Sequence, residues 1–318
     1  MRGRAMKMKL EDSAVAEISS SITESQVTKT SSSIFQDLKL LVKGIVLVLN
    51  ILPIFTGYIL ALYFTNTTLQ SLWVNFLCTM IGGTFIMAGA LILNNWYEVD
   101  LDKKMVRTQE RPTVTGSMDL KNILKLGLFF SLIGFVILSF TTLEAFLYGL
   151  IGWFFYVVLY TFWSKRRYTL NTIIGSVSGA VTPLIGWAAV DSSFHIVPLM
   201  MFLLLFFWQI PHTFAIAIRR FDDYKNANVP MLPVVSGIEI TKRQMFIYTL
   251  CLLPIPFYLT SLGTIFVVIA TILNIGFIIV SIKGFTAKDD KKWANSMFKT
   301  SLIYLTVFLL SMLATTMN

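Results

Sequence analysis

Three carboxylates crowd the stretch Asn94-Asn95-Trp96-Tyr97-Glu98-Val99-Asp100-Leu101-Asp102. Acids this close repel one another unless positive charge sits among them. Mg²⁺ suits that role: it takes oxygen ligands, keeps several waters, and binds one or two carboxylates together with a substrate's phosphates. If a helix runs through the stretch, Asn94, Glu98 and Asp102 stand at i, i+4 and i+8 on one face, and Asn95 shares a side with Asp102. The alternative is a solvated helix end whose acids pair with Lys103, Lys104 and Arg107. An unbroken apolar run leads directly into Asn94, which favours chemistry.

A second acidic stretch is Arg219-Arg220-Phe221-Asp222-Asp223-Tyr224-Lys225-Asn226. Its bland reading is surface pairing of Asp222 and Asp223 with Arg219 and Arg220. The segment Asn228-Val229-Pro230-Met231-Leu232-Pro233 follows, too apolar for a plain linker, and reads as a lid or a re-entrant piece. Arg107 and Arg111 carry forked donors that match phosphate oxygens. Anchoring at a membrane border is the other reading for both arginines, and the leading one for Lys103 and Lys104. His212, in Trp208-Gln209-Ile210-Pro211-His212, is a polar group at the depth of an apolar run, where such groups face the interior and serve function. It either meets a porphyrin or substrate, or satisfies the backbone carbonyl that Pro211 frees. Asn50, Pro53, Asn171 and Thr172 are further inward candidates.

These residues need a bundle to position them. The 318-residue chain is 55% hydrophobic, with a mean hydropathy of +0.71. Apolar stretches of spanning length recur to the C-terminus, so the expected class is an all-α polytopic membrane protein. Nine spans are expected, roughly 39–63, 72–94, 121–141, 144–163, 170–190, 196–218, 244–262, 264–282 and 297–316. The tail and the loops after the even-numbered spans hold all 26 Lys and Arg; the loops around Asn66, Thr141, Asp191 and Gly263 hold none. That asymmetry predicts a cytoplasmic N-terminus and an outer C-terminus, and explains the net charge of +9 without nucleic acid. Residues 1–37, rich in Ser and Thr, are expected to be a disordered cytoplasmic tail preceding one membrane domain over 38–318. Acids among the tail's first residues argue against a transit peptide. Cys78 and Cys251 lie in apolar runs and read as buried small hydrophobes. No phosphate-binding glycine loop, dinucleotide fingerprint or nucleophile elbow occurs.

The run Asn94 to Pro112 closely resembles the first signature of the UbiA superfamily of intramembrane prenyltransferases, and within it the branch that farnesylates heme. Trp208 to Phe214, Arg220 to Pro233 and Pro183-Leu184-Ile185-Gly186-Trp187 resemble that branch too, and the likeness extends over about residues 40–315. There are departures. Asn95 and Glu98 replace two acids of the superfamily's first pattern, and Asp222 and Asp223 are adjacent where its second pattern spaces two Asp four apart.

The resemblance implies transfer of farnesyl from farnesyl diphosphate to heme b with addition of water, in a bacterial cytoplasmic membrane. It implies Mg²⁺ on Asn95, Glu98 and Asp102, with Asp222 and Asp223 opposite. Asn94, Asp100, Arg107, Arg111, Lys165, Arg166, His212 and Tyr224 are the implied substrate-binding residues. Membrane lipid and, downstream, a heme A synthase or a terminal oxidase assembly are the implied partners. Two rivals are a relative that prenylates an aromatic quinone precursor, which needs a cation for a carboxylate and gives His212 no role, and a cation-coupled transporter, which expects acids in mid-span.

Overall fold

The computed structural model describes residues 34–317, and every regular element among them is helical. The expected tail lies outside the described residues, except that 34–37 open the helix α1 (Ile34–Leu41). Next come α2 (Gly44–Phe64) and α3 (Trp73–Tyr97), then two single-turn helices, α4 (Val99–Asp102) and α5 (Pro112–Thr115). α6 (Leu120–Leu138) precedes α7 (Leu143–Phe154), which runs on as a π-helix over Phe155–Ser164. α8 (Asn171–Ala180), α9 (Thr182–Ala188) and α10 (Ile196–Arg219) follow. α11 (Phe221–Asn226) and α12 (Leu232–Ser236) lead to α13 (Ile238–Leu250), α14 (Ile255–Tyr258), α15 (Thr264–Ile282) and α16 (Asp290–Ala314).

Among the described residues, seven helical stretches are long and apolar enough to cross a membrane. The fifth and seventh of the nine expected spans are each broken in two. Pro183, in the first turn of α9, has no N–H to continue the ladder of α8. Pro254 and Pro256 act likewise after α13, which begins at Ile238 rather than near 244. The carbonyl of Leu252 in that break accepts from Asn274 Nδ2 at 2.9 Å, and Tyr304 OH donates to Asn274 Oδ1 at 2.7 Å. The interruption is thus satisfied internally, as an apolar surround demands.

Small residues draw the helices together. A Cβ on Gly89 would strike Ser131 and the carbonyl of Gly127, and one on Gly134 would strike the backbone of Ile86, so α3 and α6 pack backbone to backbone. α2 crosses α9 the same way, Gly57 against the Pro183 carbonyl and Gly186 against that of Ile54. A large core joins α10, α15 and α16 through Met201, Leu204, Phe266, Phe277, Tyr304 and Phe308, with Trp187 of α9. Cys78 and Cys251 are free and half-buried, less enclosed than expected. The C-terminal ends of α3, the π-helix and α10 carry the candidate residues.

Candidate active site

α3 bends at Glu98 (φ −95°, ψ 12°) before α4 begins. The i to i+4 ladder survives: Glu98 N–H donates to Asn94 O at 3.0 Å, and Asp102 N–H to Glu98 O at 2.8 Å. Asn94, Glu98 and Asp102 therefore keep the common face the spacing predicts, and all three are buried with Asn95.

Each member has a defined neighbour. Lys165 Nζ lies 2.5 Å from Glu98 Oε1 and Oε2, with hydrogen-bond geometry to Oε2 only. Burial pushes the Glu98 carboxyl up, but Lys165, Lys43 and Arg111 outweigh it and hold it below the usual glutamate value. Burial likewise pulls the Lys165 ammonium down, and Glu98 more than restores it, so both stay charged. The π-helix ends here: Lys165 N–H reaches back five residues to Tyr160 O at 2.9 Å, and such wide turns recur at functional sites. Arg111 Nη1 meets Asp102 Oδ2 at 2.5 Å. The loop that returns it is pinned by Thr108 Oγ1, which donates to Asp102 O at 2.8 Å. Farther out, Arg166 forks onto both oxygens of Asp100 at 2.7 and 2.8 Å, donates to Tyr97 O, and covers the Tyr97 ring at 4.8 Å. The Arg166 hydrogen bond is the main reason the Asp100 carboxyl sits below the ordinary aspartate range.

Asn94 and Asn95 extend the site inward. Lys43, with a left-handed backbone (φ 49°), separates α1 from α2 and donates to Asn94 Oδ1 at 2.9 Å. Asn94 Nδ2 donates to Thr161 Oγ1, which donates to Tyr156 O. Asn95 Nδ2 donates to Leu41 O at 2.5 Å. Asn95 Oδ1 and Glu98 Oε1 are left as buried acceptors without a hydrogen-bond donor. Asn95 Oδ1, one turn from the Glu98 carboxylate whose Oε1 already meets Lys165 Nζ at 2.5 Å, fits a hard cation such as Mg²⁺ in a motif rich in carboxylate.

The second acidic loop meets the first through packing. Tyr224 is buried with Leu101, Met105, Val229 and Met231, and Arg107 lies over its ring at 5.7 Å. The Val229–Met231 segment is therefore part of the inner cluster. The acids themselves stay apart from the first motif. Asp222 is exposed and pairs with Lys291 at 2.8 Å, a contact that lowers its carboxyl below the usual range. Asp223 is half-buried. Among the described residues no three acidic, His or Cys side chains form a metal-holding group.

His212 is stacked between Trp208 (4.7 Å) and Phe298 (5.1 Å). Its Nδ1 lies 2.7 Å from Ser301 Oγ, whose proton goes to Phe298 O. That arrangement suits the tautomer with its proton on Nδ1. Beneath the first motif lies a cavity of about 160 Å³ lined by Ala90, Leu91, Trp153, Tyr156 and Gln209 among others. His212 turns away from it toward α16, and Gln209, three residues earlier, faces it. Sequence reasoning missed Lys43, which reads as one more border cation, and the roles of Thr161 and Gln209. Only the fold brings these residues to the site.

Residues 50–303 match the UbiA prenyltransferase family, and the chain belongs to it. It is 51% identical over 272 residues to a protoheme IX farnesyltransferase of Oceanobacillus iheyensis, covering 85% of this chain and 87% of that one. It is 51% identical over 295 residues to one of Bacillus cereus, covering 92% and 96%. Its fold is similar to a digeranylgeranylglyceryl phosphate synthase (TM-score 0.71, 16% identity, 89% and 98% covered). It is also similar to an Archaeoglobus fulgidus UbiA homologue bound to DMAPP and Mg²⁺ (TM-score 0.66, 16% identity, 88% and 99% covered).

Proposed function

We propose that this prenyltransferase moves farnesyl from farnesyl diphosphate to a vinyl group of heme b and adds water, giving heme O and diphosphate. One observation carries the reaction type: two buried ion pairs, Glu98–Lys165 and Asp102–Arg111, with the unpartnered Asn95 Oδ1 beside them, at the end of a helix whose preceding turn, at Ala90 and Leu91, lines an apolar cavity. The relatives at 51% identity are protoheme IX farnesyltransferases, which supports heme as the acceptor.

Asn95, Glu98 and Asp102 are the residues to hold Mg²⁺, with Asp222 and Asp223 completing the acidic set across the Tyr224 contact. Mg²⁺ supplies neutralisation of the diphosphate charge. Lys165, Arg111 and Arg166 match the three carboxylates of the first motif one for one, and Arg107 adds a further cation, so an anionic diphosphate meets preplaced donors. As the allylic C–O bond breaks, these donors hold the charge growing on the leaving oxygen. The cavity keeps bulk water from the allylic cation, and the faces of Trp153 and Tyr156 in its wall stabilise positive charge. The vinyl π electrons then form the new C–C bond.

The Lys and Arg asymmetry supports placing the loops that carry Arg107 and Lys225 in the cytoplasm, with the C-terminus outside a bacterial cytoplasmic membrane. Cysteines placed at Arg107 and Asn66 test this: an outside reagent labels only the Asn66 position. The reaction is tested by expression in a heme-O-deficient bacterium with chromatography and mass spectrometry of extracted hemes. Heme O is the expected product, and its absence from cells that insert the protein rejects the reading.

A further inference from the structure

The cavity beneath Asn94 is apolar over most of its wall, and its few polar groups are mostly spent. Ser178 Oγ donates to Gly175 O at 2.6 Å, Thr182 Oγ1 to Gly179 O at 2.6 Å, and Asn50 Nδ2 to Val46 O at 2.8 Å. Each proton goes to a carbonyl three or four residues back in the chain. Gln209 is different. Its Oε1 is buried and receives no hydrogen bond from any described residue. Its amide lies against Gly179, where a Cβ would fall on Gln209 Oε1 and Nε2, so the glycine makes room for this side chain at the cavity wall. A buried amide carbonyl without a protein donor is a place for a water or a ligand hydroxyl, and a cavity holds a water where polar partners exist for it.

We propose that Gln209 holds the water that becomes the product's hydroxyl. The inference rests on the farnesyl-to-heme reading above. The farnesyl C1–O bond breaks and its electron pair leaves with the diphosphate. The vinyl π pair closes on C1 and leaves a cation on the carbon next to the porphyrin. The water, donating one hydrogen to Gln209 Oε1, gives its lone pair to that carbon, and the proton it sheds goes to the released diphosphate. A neutral amide suits this position. It fixes the water without competing for the cation, as a carboxylate would, and without offering a base that strips a proton from the cation to give an alkene.

The test reads the product of each turnover, not the rate. Membranes holding the full chain receive farnesyl diphosphate and heme b in water enriched in ¹⁸O, and farnesylated hemes are separated and weighed. The native chain gives hydroxylated product carrying the label. Gln209→Leu raises the ratio of the alkene, lighter by one water, to the alcohol by about tenfold. Gln209→Glu, which puts beside the cation the carboxylate that the amide avoids, raises that ratio as well. Gly179→Ala, which displaces the amide, shifts the ratio the same way by about threefold, and decides the matter should Gln209→Leu not insert. An unchanged alkene-to-alcohol ratio in both Gln209→Leu and Gly179→Ala overturns the inference and leaves farnesyl transfer standing. No farnesylated heme from the native chain overturns the reading beneath it, and the inference with it.

Discussion

The two acidic loops carry similar letters and sit in opposite surroundings. In the first, Glu98 and Asp102 are buried, each held by one cation brought from elsewhere in the chain. In the second, Asp222 lies on the surface beside Lys291, with both side chains more than 60% exposed. An ion pair in water contributes little, and its partners exchange freely. A buried pair is different in kind, because removal of one member strands a charge in a poor dielectric. The first loop is thus a fixed electrostatic structure whose geometry precedes any ligand. The second is a surface whose acids are available and whose anchor is apolar, through Tyr224, Val229 and Met231.

The sharpest way to break this contrast is to remove charge from the first loop. Glu98→Ala and Asp102→Ala are each expected to lower turnover by at least about 10²-fold, the scale of losing one preorganised electrostatic group. Heme O output per inserted protein measures it, and near-native output from both variants would sink the assignment. Chelation of divalent cations is expected to act as strongly on the native chain. A second loss separates stability from chemistry. Lys165→Ala strips buried Glu98 of its ion pair, leaving only Lys43 and Arg111 acting on it, and is expected to destabilise the fold by about 3–5 kcal/mol. The double variant Lys165→Met with Glu98→Gln is expected to regain most of the melting temperature and none of the turnover. If Lys165→Ala melts like the native chain, the pair is not the fixed element described above.

The same contrast marks what the sequence discloses. The apolar runs of α2, α3, α6, α7 with its π-helix, α10, α15 and the C-terminal part of α16 are readable because hydrophobicity and length suffice. The two broken spans are not, although Pro183, Pro254 and Pro256 are in plain view. A proline inside a membrane helix either kinks or ends it, and the outcome rests on partners such as Asn274 and the crossing at Gly57 and Gly186. At the site, the common face of Asn94, Glu98 and Asp102 follows from local spacing. The pairing of Glu98 with Lys165 and of Asp100 with Arg166 spans more than sixty residues of chain, and no local period encodes it. Lys43 shows the limit most clearly: topology alone accounts for a lysine there, and only the left-handed turn after α1 brings it to Asn94.

The second loop sharpens the comparison with smaller effects. Asp223→Asn is expected to reduce turnover by about tenfold, and Asp222→Asn, whose charge is already shared with Lys291, by about threefold or less, in line with exposed charges. Both should leave the melting temperature unchanged within about a degree, since surface substitutions fall within ~0.5 kcal/mol. Steady-state kinetics with farnesyl diphosphate checks the order. A loss at Asp222 as large as that at Glu98 would mean that the two loops act as one buried centre during turnover.

The smallest expected effect lies on α10, beyond both loops. His212 Nδ1 lies 2.7 Å from Ser301 Oγ, and with Ser301 donating to Phe298 O the Nδ1–H tautomer fits, the one a metal-bound imidazole takes when Nε2 is the ligating atom. Stacking between Trp208 and Phe298 holds the ring plane. If Nε2 meets the porphyrin iron, His212→Ala should weaken heme b binding by about tenfold and Ser301→Ala by less, while farnesyl diphosphate binding stays within about twofold. If the histidine only packs α10 against α16 through Ser301 and Phe298, the same change should lower the melting temperature and weaken both ligands together. Heme difference spectra, farnesyl diphosphate binding and melting curves in detergent separate the two. Equal loss of both affinities with a lower melting temperature would remove His212 from the heme site and leave the first loop as the whole of the chemistry.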